Sequence, residues 1–216
     1  ASNSERRSLS HIRKGEYEGL SEKLSDPHWK PDFGPTQFNR RCGATCIGAR
    51  EFLIAYNINL NTRHKRFASK IAEKLREAGK TKRDREGHMV TVLGKFKHVK
   101  AVGWYIDEYK RAQVSINFTN FKVSPIHKVF EEACKVAKIL GVRVTGSELV
   151  GLTPKLALLN AGKYYLRKAH SSLAIPEIDI IETAVQSLGL AELSPFKPQE
   201  KIIEYRVKPA KALPEL

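Results

Sequence analysis

Apolar and polar side chains alternate between residues 52 and 60, and this period of two predicts a β-strand. One face of the strand would carry Phe52, Ile54, Tyr56, Ile58 and Leu60, and the other Leu53, Ala55, Asn57 and Asn59. The period then changes to that of a helix, which we expect to be capped by Asn61 or Thr62 and ended by Gly79. Its apolar stripe would be formed by Phe67, Ala68, Ile71, Leu75 and Ala78.

The next part of the chain predicts three further strands and a second helix. Residues 80–97 are basic and show neither period, so we expect a loop there. Strands are predicted at 99–109 and 112–123, joined by a short polar connection as a hairpin. Ser124 as N-cap and Pro125 in the first turn predict a helix, and residues 142–150 predict a fourth strand. The apolar face of that helix would be Ile126, Phe130, Ala133, Ala137 and Leu140.

The predicted order is βαββαβ, the ferredoxin-like arrangement of the α+β class, with both helices on one side of an antiparallel sheet. Two extra helices are predicted, from Pro154 to Ala169 and from Pro176 to Gly189, with Ile178, Ile181, Val185 and Leu188 as the stripe of the second. Residues 202–207 predict a last short strand. Upstream of the first strand we expect a polar helix over 4–24, interrupted by two glycines, and an extended irregular segment over 26–48.

One face of the predicted sheet is unusual in its composition. The first and third strands lie side by side at the centre of such a sheet, and away from the helices they would present Asn57, Asn59, Gln113, Ser115, Asn117 and Thr119. Neither row contains a charge, whereas a solvated face would normally carry lysine, glutamate or arginine. We interpret the face either as a ligand-bearing surface rich in donors and acceptors or as a polar surface packed on another sheet with water between.

Composition and charge narrow the class of protein. The chain is 41% apolar and 28% charged, which is typical of a folded globular protein. There is no run of about 18 apolar residues and no recognisable signal peptide, so we expect a cytoplasmic protein without a membrane span. The formal net charge of +15 predicts an acidic partner or an acidic remainder of a longer protein.

The cysteines and histidines predict neither a disulfide framework nor a metal site. Cys42, Cys46 and Cys134 are few, and no second ligand pair stands at zinc-like spacing. The histidines form no HxxxH or HExxH motif. We therefore expect free thiols and no metal.

A series of sequence blocks spans nearly the whole chain. They are Ile12-Arg13-Lys14-Gly15-Glu16-Tyr17-Glu18, Asp32-Phe33-Gly34-Pro35, Phe38, Gly43-Ala44-Thr45, Gly48-Ala49-Arg50, Phe52-Leu53-Ile54-Ala55-Tyr56-Asn57-Ile58-Asn59-Leu60, Gly103-Trp104-Tyr105, Ala112-Gln113-Val114-Ser115, Gly146-Ser147-Glu148-Leu149-Val150-Gly151-Leu152 and Ile202-Ile203-Glu204-Tyr205. With these blocks the chain resembles the glutamate formimidoyltransferase family, the formiminotransferase domain of formimidoyltransferase-cyclodeaminases. The segment 80–97 looks longer than the corresponding connection of that family.

The resemblance implies transfer of a formimino group between N-formimino-L-glutamate and N5 of tetrahydrofolate, in a domain of two ferredoxin-like subdomains with folate between their sheets. It divides the chain into the end of the N-terminal subdomain (1–51), the C-terminal subdomain (52–208) and a linker or tail (209–216). The folate-binding loop it implies consists of Gly34, Pro35, Thr36, Gln37, Phe38, Asn39, Arg40, Arg41, Cys42 and Gly43. Weaker candidates for lining the substrate tunnel are Asn57, Asn59, Gln113, Ser115 and Asn117. Arg40 and Arg41 could bind carboxylates of the glutamate tail, which often holds several glutamates.

In the family the catalytic group is a histidine of the N-terminal subdomain, in a stretch that would precede Ala1. We therefore expect the chain to begin inside a longer protein, to contain no catalytic residue and to show little transferase activity alone. The implied partners are both substrates, the missing N-terminal subdomain and further copies of the chain, with no nucleic acid.

Two other interpretations stay open. A basic ferredoxin-like domain is also the architecture of an RNA-recognition module, but such a module presents aromatic side chains on its third strand, where this chain has Gln113, Ser115 and Asn117. The chain could instead belong to a non-catalytic relative that keeps the fold for folate binding or assembly.

Overall fold

The computed structural model describes residues 3–207, which divide into two compact units between Arg50 and Glu51. The N-terminal unit contains two 3₁₀ helices, Ser4–Arg7 and Pro27–Trp29, and two short α-helices, α1 (Leu9–Ile12) and α2 (Leu20–Ser25). The helical stretch predicted over 4–24 with interruptions at two glycines is thus a 3₁₀ helix and two short α-helices, with the longest break at those glycines. Gly15 adopts a φ of +91°, and a Cβ on Gly19 would lie 2.9 Å from the Gly15 carbonyl oxygen, so the two glycines build a turn between the helices.

The C-terminal unit contains the remaining elements. In chain order they are β1 (Ile54–Leu60), α3 (Lys65–Leu75), β2 (Lys80–Arg83), β3 (Met89–Val92), β4 (Val99–Ile106), β5 (Arg111–Phe118), α4 (Ile126–Ile139), β6 (Val144–Val150), α5 (Lys155–Lys168), α6 (Glu177–Leu188), α7 (Pro198–Lys201) and α8 (Ile203–Arg206). The main sheet has the order β4-β5-β1-β6, and every neighbouring pair is antiparallel. The predicted α+β class and the central position of β1 and β5 are confirmed.

The core lies between one face of this sheet and the helices. Ile54, Tyr56 and Ile58 of β1 are opposite Phe118, Ile116 and Val114 of β5, and all six are buried. Buried residues of α3 and α4 pack into the same cluster: Ala68, Ile71, Ala72, Leu75, Val129, Phe130, Ala133 and Ala137. Two side chains assigned to buried faces are exposed, because Phe52 precedes β1 and Ala78 follows the end of α3.

The loop predicted at 80–97 is wrong over much of its length. Residues Lys80–Arg83 and Met89–Val92 pair as an antiparallel hairpin, separate from the main sheet. Asp84 Oδ1 accepts the backbone N–H groups of Glu86 and His88 in the turn, and Gly87 has a φ of +88°. Because both faces of the hairpin are exposed, no alternation of apolar residues marked its strands.

Helix starts differ from the predicted caps. His64 is the N-cap of α3, because Asn61 Oδ1 instead accepts the N–H of Arg143 and Thr62 Oγ1 the N–H of His64. Pro125 is the N-cap of α4, while the Ser124 hydroxyl donates to the Lys97 carbonyl. In each case a cap-forming side chain is used to hold a neighbouring segment.

The last predicted strand is also wrong. Residues 203–206 form α8, and only Ile202 makes a β-bridge, with Thr153. Helices α5 and α6 are confirmed, and Gly189 ends α6 with a φ of +62°, although Ile178 is exposed rather than part of the buried stripe. The predicted tail at 209–216 lies outside the described residues. No helix within residues 3–207 combines the length and apolarity that crossing a bilayer requires.

Candidate functional site

The main sheet has a polar face on the side away from α3 and α4. Its centre is formed by Asn57, Asn59, Gln113, Ser115 and Asn117, which we call the polar sheet face. In the register of β1 and β5, Asn57 is opposite Ser115 and Asn59 is opposite Gln113. Asn57, Asn59 and Gln113 are each no more than 6% exposed, whereas Asn117 is exposed. The structure thus brings together all five residues of the weaker candidate set.

The buried amides of this face are held by a carboxylate from β6. Gln113 Nε2 donates to Asn59 Oδ1 at 2.6 Å and to Glu148 Oε1 at 3.1 Å. Asn57 Nδ2 donates to the same Glu148 oxygen at 2.9 Å. The amide orientations are therefore fixed, and the face carries a negative charge that the two central strands alone do not show.

A second carboxylate closes one end of the network. Glu192 lies after α6, and its Oε2 accepts a hydrogen bond from Asn59 Nδ2 at 2.6 Å. Its other oxygen pairs with Arg111, which also donates to Thr145 Oγ1. Glu192 is thus neutralised by Arg111, whereas Glu148 forms no salt bridge within residues 3–207. The carboxylate of Glu148 also raises the pKa of Tyr109 in the β4–β5 turn.

An aromatic side chain lies beside this network. Trp104 of β4 is opposite Gln113, and its Nε1–H donates to Gln113 Oε1 at 3.1 Å. The indole is 39% exposed, next to the exposed Val102. A rigid, partly exposed ring beside fixed polar groups is suited to stacking on a flat ligand that also forms hydrogen bonds.

Sequence reasoning did not assign Trp104, Glu148, Arg111 or Glu192 to the site. Trp104 and Glu148 follow the alternation of β4 and β6, so the register of those strands would have revealed them. No pattern in the sequence indicated that Glu192 belongs to the site, because its position depends on how the segment after α6 packs against Gly146.

The loop at 34–43 lies in the N-terminal unit and is ordered by local contacts. Tyr17 donates from its hydroxyl to the Arg40 carbonyl at 2.6 Å, and its ring lies 5.5 Å from that of Phe38. Asn39 Oδ1 accepts the N–H groups of Arg41 and Cys42. The turn ends at Gly43, whose φ of +61° suits glycine.

One side of this loop borders an open groove of about 710 Å³. The groove is lined by α2 and its C-terminal continuation and, from the loop, by Thr36, Gln37, Phe38 and Arg40. Gly34, Pro35, Arg41 and Cys42 are exposed. Arg40 is exposed as well, and neither Arg40 nor Arg41 forms a salt bridge with a described residue. The loop therefore presents two cations at the surface of its unit.

The cysteines and a small carboxylate–histidine cluster lie outside the polar sheet face. Burial raises the pKa of the Cys134 thiol to about 11, which keeps it protonated and unreactive, and Cys42 and Cys46 are exposed free thiols. Asp84, Glu86 and His88 place ligand atoms within 4.8 Å of one another, but all are exposed and the hairpin turn accounts for their closeness.

Two protein-family models match the chain. The model described as "Formiminotransferase domain" matches residues 55–208, and the one described as "Formiminotransferase domain, N-terminal subdomain" matches residues 1–50. These two matches meet close to the division between the two units.

Curated relatives agree with the family matches. The chain is 48% identical over 206 residues to the formimidoyltransferase-cyclodeaminase of Sus scrofa and 46% identical over 203 residues to that of Gallus gallus. These alignments cover 95% and 94% of the chain but 36% of each relative. The glutamate formimidoyltransferase of Streptococcus pyogenes serotype M1 is 37% identical over 167 residues, 77% of the chain and 51% of that protein. The chain belongs to the formiminotransferase family.

Proposed function

We propose that the protein acts in a folate-dependent transferase that moves a formimino group between N-formimino-L-glutamate and tetrahydrofolate, in histidine degradation and one-carbon metabolism in the cytoplasm. Family membership and the names of the relatives support this reaction. The chain spans about a third of the cyclodeaminase relatives, so the proposal concerns the part that its own residues play.

The reaction has a simple balance of bonds. The N5 amine of tetrahydrofolate attacks the formimino carbon, the new C–N5 bond forms, and the bond from that carbon to the glutamate nitrogen breaks. N5 loses its proton and the departing glutamate nitrogen gains one, so the products are glutamate and the formimino-folate. We assign binding and orientation to the residues of this chain, and proton transfer to none of them.

Recognition on the polar sheet face rests on Glu148. A pterin ring and a formimino group are both flat and both present N–H donors, which a carboxylate accepts strongly. Glu148 already accepts from two neutral amides, and no described cation neutralises it. Trp104 supplies a stacking surface on the other side of Gln113, whose amide bonds both the indole and Glu148. This carboxylate, joined through Gln113 to an exposed indole, is the observation that carries the proposal.

The loop at 34–43 supports the same ligand class. The glutamate tail of a folate is anionic, and Arg40 and Arg41 can donate charge-assisted hydrogen bonds to carboxylates. Gly34 has a φ of +87° and open space around its Cα, so a ligand can approach the backbone there.

Titration of the full chain with tetrahydrofolate in a calorimeter tests the proposal. We expect Glu148→Ala to weaken binding by about tenfold, because a hydrogen bond to a charged group is lost. Glu148→Gln keeps a carbonyl acceptor for Asn57 and Gln113, so we expect it to weaken binding less. Glu182→Ala, which removes an exposed carboxylate from α6, is the matched control and should bind as the parent protein does.

Unchanged binding by Glu148→Ala, with a melting temperature close to that of the parent protein, would contradict the assignment. Equal weakening by Glu182→Ala would show that only the net charge matters.

A further inference from the structure

The β2–β3 hairpin is a ribbon without a described partner on either face. Every residue from 80 to 93 is exposed, and the two strands pair only with each other. A two-stranded ribbon is marginally stable alone in water. Its exposed apolar residues are Met89, Val90, Val92 and Leu93.

The base of the hairpin is nevertheless firmly built. Arg76 Nε donates to the Gly79 carbonyl at 2.7 Å, and its Nη1 donates to the Ala101 carbonyl at 3.3 Å. A Cβ on Gly79 would lie 1.8 Å from the Val92 carbonyl oxygen, and one on Gly94 would lie 2.0 Å from the Arg76 carbonyl oxygen. These close contacts at the base fix the direction in which the hairpin projects, while the strands themselves stay exposed.

The backbone pattern defines which groups point outward. Asp84 donates its N–H to the His88 carbonyl at 2.9 Å, in register with the strand pairs. Hydrogen-bonded and non-hydrogen-bonded pairs alternate in an antiparallel ladder. Lys82 with Val90 and Lys80 with Val92 are therefore hydrogen-bonded pairs, whose backbone N–H and C=O groups point towards the other strand of the hairpin. The backbone groups of Thr81 and Arg83 then point outward from β2, and those of Met89 and Thr91 outward from β3.

The two edges differ in charge. Strand β2 carries Lys80, Lys82 and Arg83, and β3 carries no charged residue. Lys82 and Arg83 form no salt bridge within residues 3–207, and Lys80 reaches only Glu73, at 4.0 Å. Among the described residues, the β2 edge thus combines unpaired backbone groups at Thr81 and Arg83 with two cations, Lys82 and Arg83, that no carboxylate neutralises.

The charge and backbone pattern of the β2 edge argues against three possible binding partners: a second copy of the chain, a nucleic acid and a bilayer. A second copy of β2 on the same edge would bring cations against cations, which is unfavourable. Residues 80–93 contain no tryptophan, tyrosine or phenylalanine on which a nucleic-acid base could stack. A bilayer favours one apolar face, but Val90 and Val92 lie on one face of the ribbon and Met89 on the other.

We propose that the β2 edge of the hairpin binds an extended acidic segment of a partner protein by strand addition. The backbone of the segment pairs with Thr81 and Arg83, and carboxylates on its two faces lie beside Lys82 on one face of the ribbon and Arg83 on the other. This surface does not depend on the proposed folate site.

Fluorescence anisotropy of a labelled peptide in which pairs of adjacent glutamates alternate with pairs of valines, so that both faces of the added strand carry carboxylates, titrated with the full chain, tests the proposal. We expect saturable binding that weakens as salt is raised. The double variant Lys82→Glu with Arg83→Glu should bind about tenfold more weakly, while the matched charge reversal Lys135→Glu with Lys138→Glu on α4 should bind as the parent protein does. Thermal melting checks that each variant is folded.

Two proline variants separate strand addition from simple charge attraction. Thr81→Pro removes an outward N–H from β2 and should weaken binding, whereas Thr91→Pro, at the opposite position on β3, should not. Absence of peptide binding would overturn the proposal, as would equal binding by Thr81→Pro and the parent protein. Displacement of the peptide by single-stranded RNA or anionic vesicles at lower concentration, or its loss on dimerisation of the chain through the hairpin, would assign the surface to another occupant.

Discussion

Single residues in the core of the C-terminal unit show how local environment sets both ionisation and tolerance to substitution. His127 of α4 is 5% exposed and stacks on Tyr164 of α5, with ring centroids 4.5 Å apart. Its Nδ1 has no hydrogen-bond partner in the described residues. Burial, with a smaller effect from Lys128, lowers the pKa of His127 to about 4.

The low pKa of His127 predicts loss of stability in mild acid. The unfolded chain has a histidine pKa near 6.5, so the stabilisation is complete above about pH 6.5 and is lost as the pH falls towards 4. We expect a loss of about 3 kcal/mol across this window, because each unit of pKa shift corresponds to about 1.4 kcal/mol and the ring is buried. In His127→Phe, which keeps the stacking, this part of the pH dependence of urea unfolding should disappear. It should persist in His88→Phe, and an unchanged profile for His127→Phe would refute the assignment.

Gly103 of β4 allows the sheet to approach α3 closely. A Cβ there would lie 2.1 Å from the Ser69 backbone nitrogen and 2.5 Å from the Ala68 carbonyl carbon. We expect Gly103→Ala to lower the free energy of unfolding by about 3 kcal/mol, since backbone must move. Gly48→Ala, with no atom within 4 Å, is the control and should change it by less than about 0.5 kcal/mol. Equal denaturation midpoints for both variants would contradict the packing argument.

Whole strands and helices are joined by hydrogen bonds as well as by apolar packing. Tyr56 of β1 donates to Ser147 Oγ of β6 at 2.8 Å, and Ser147 donates to the Leu188 carbonyl at the end of α6 at 2.6 Å. Both side chains are fully buried, and burial raises the pKa of the Tyr56 hydroxyl. The pair therefore connects the centre of the sheet to a C-terminal helix.

A double-mutant cycle measures this connection. We expect Tyr56→Phe and Ser147→Ala each to cost about 1–2 kcal/mol, because a buried group loses its partner. The double variant should cost less than the sum, since it leaves no hydroxyl unpaired, with a coupling of about 1 kcal/mol. Tyr105→Phe on the exposed part of β4 is the control. Strict additivity in guanidinium unfolding would show that the bond contributes little.

The whole molecule is strongly basic, and the charge acts beyond any one contact. The formal net charge is +15, and much of it lies in α3, the hairpin and the loop at 34–43. On the proposed function, such a field favours folates with longer anionic tails.

The anionic glutamate tail of a folate leads us to predict that the protein prefers polyglutamylated folates and that this preference depends on salt. We expect Arg40→Ala with Arg41→Ala to weaken binding of a polyglutamylated folate several-fold more than that of the monoglutamate. At about 0.5 M salt, where charges are screened beyond a few ångströms, the difference should shrink. Calorimetric titration measures both, and Arg167→Ala on α5 serves as the control. Equal losses for the two ligands would remove these arginines from tail binding.

Much of the fold and part of the site followed from periodicity. Strand β1 and helices α4, α5 and α6 were predicted because each packs an apolar face on the core, which imposes a period of two or 3.6 on the apolar residues. The same alternation placed Asn57, Asn59, Gln113, Ser115 and Asn117 on one face of the sheet. The hairpin was missed because it buries neither face, and α8 because one short turn of helix leaves no period to read.

The amino-acid sequence thus determined the secondary structure with a buried side, the amide-rich face and the positive charge, because these depend on neighbours along the chain. Tertiary packing decided how that face is completed. Glu148 comes from β6, which neighbours β1 in the sheet but lies about ninety residues later in the chain, and Glu192 comes from the segment after α6. They meet Asn57 and Asn59 only once the strands are in register. The hydrogen-bond donors that hold these two carboxylates, Asn57 and Asn59, lie far from them in the sequence, so only the folded chain brings them together.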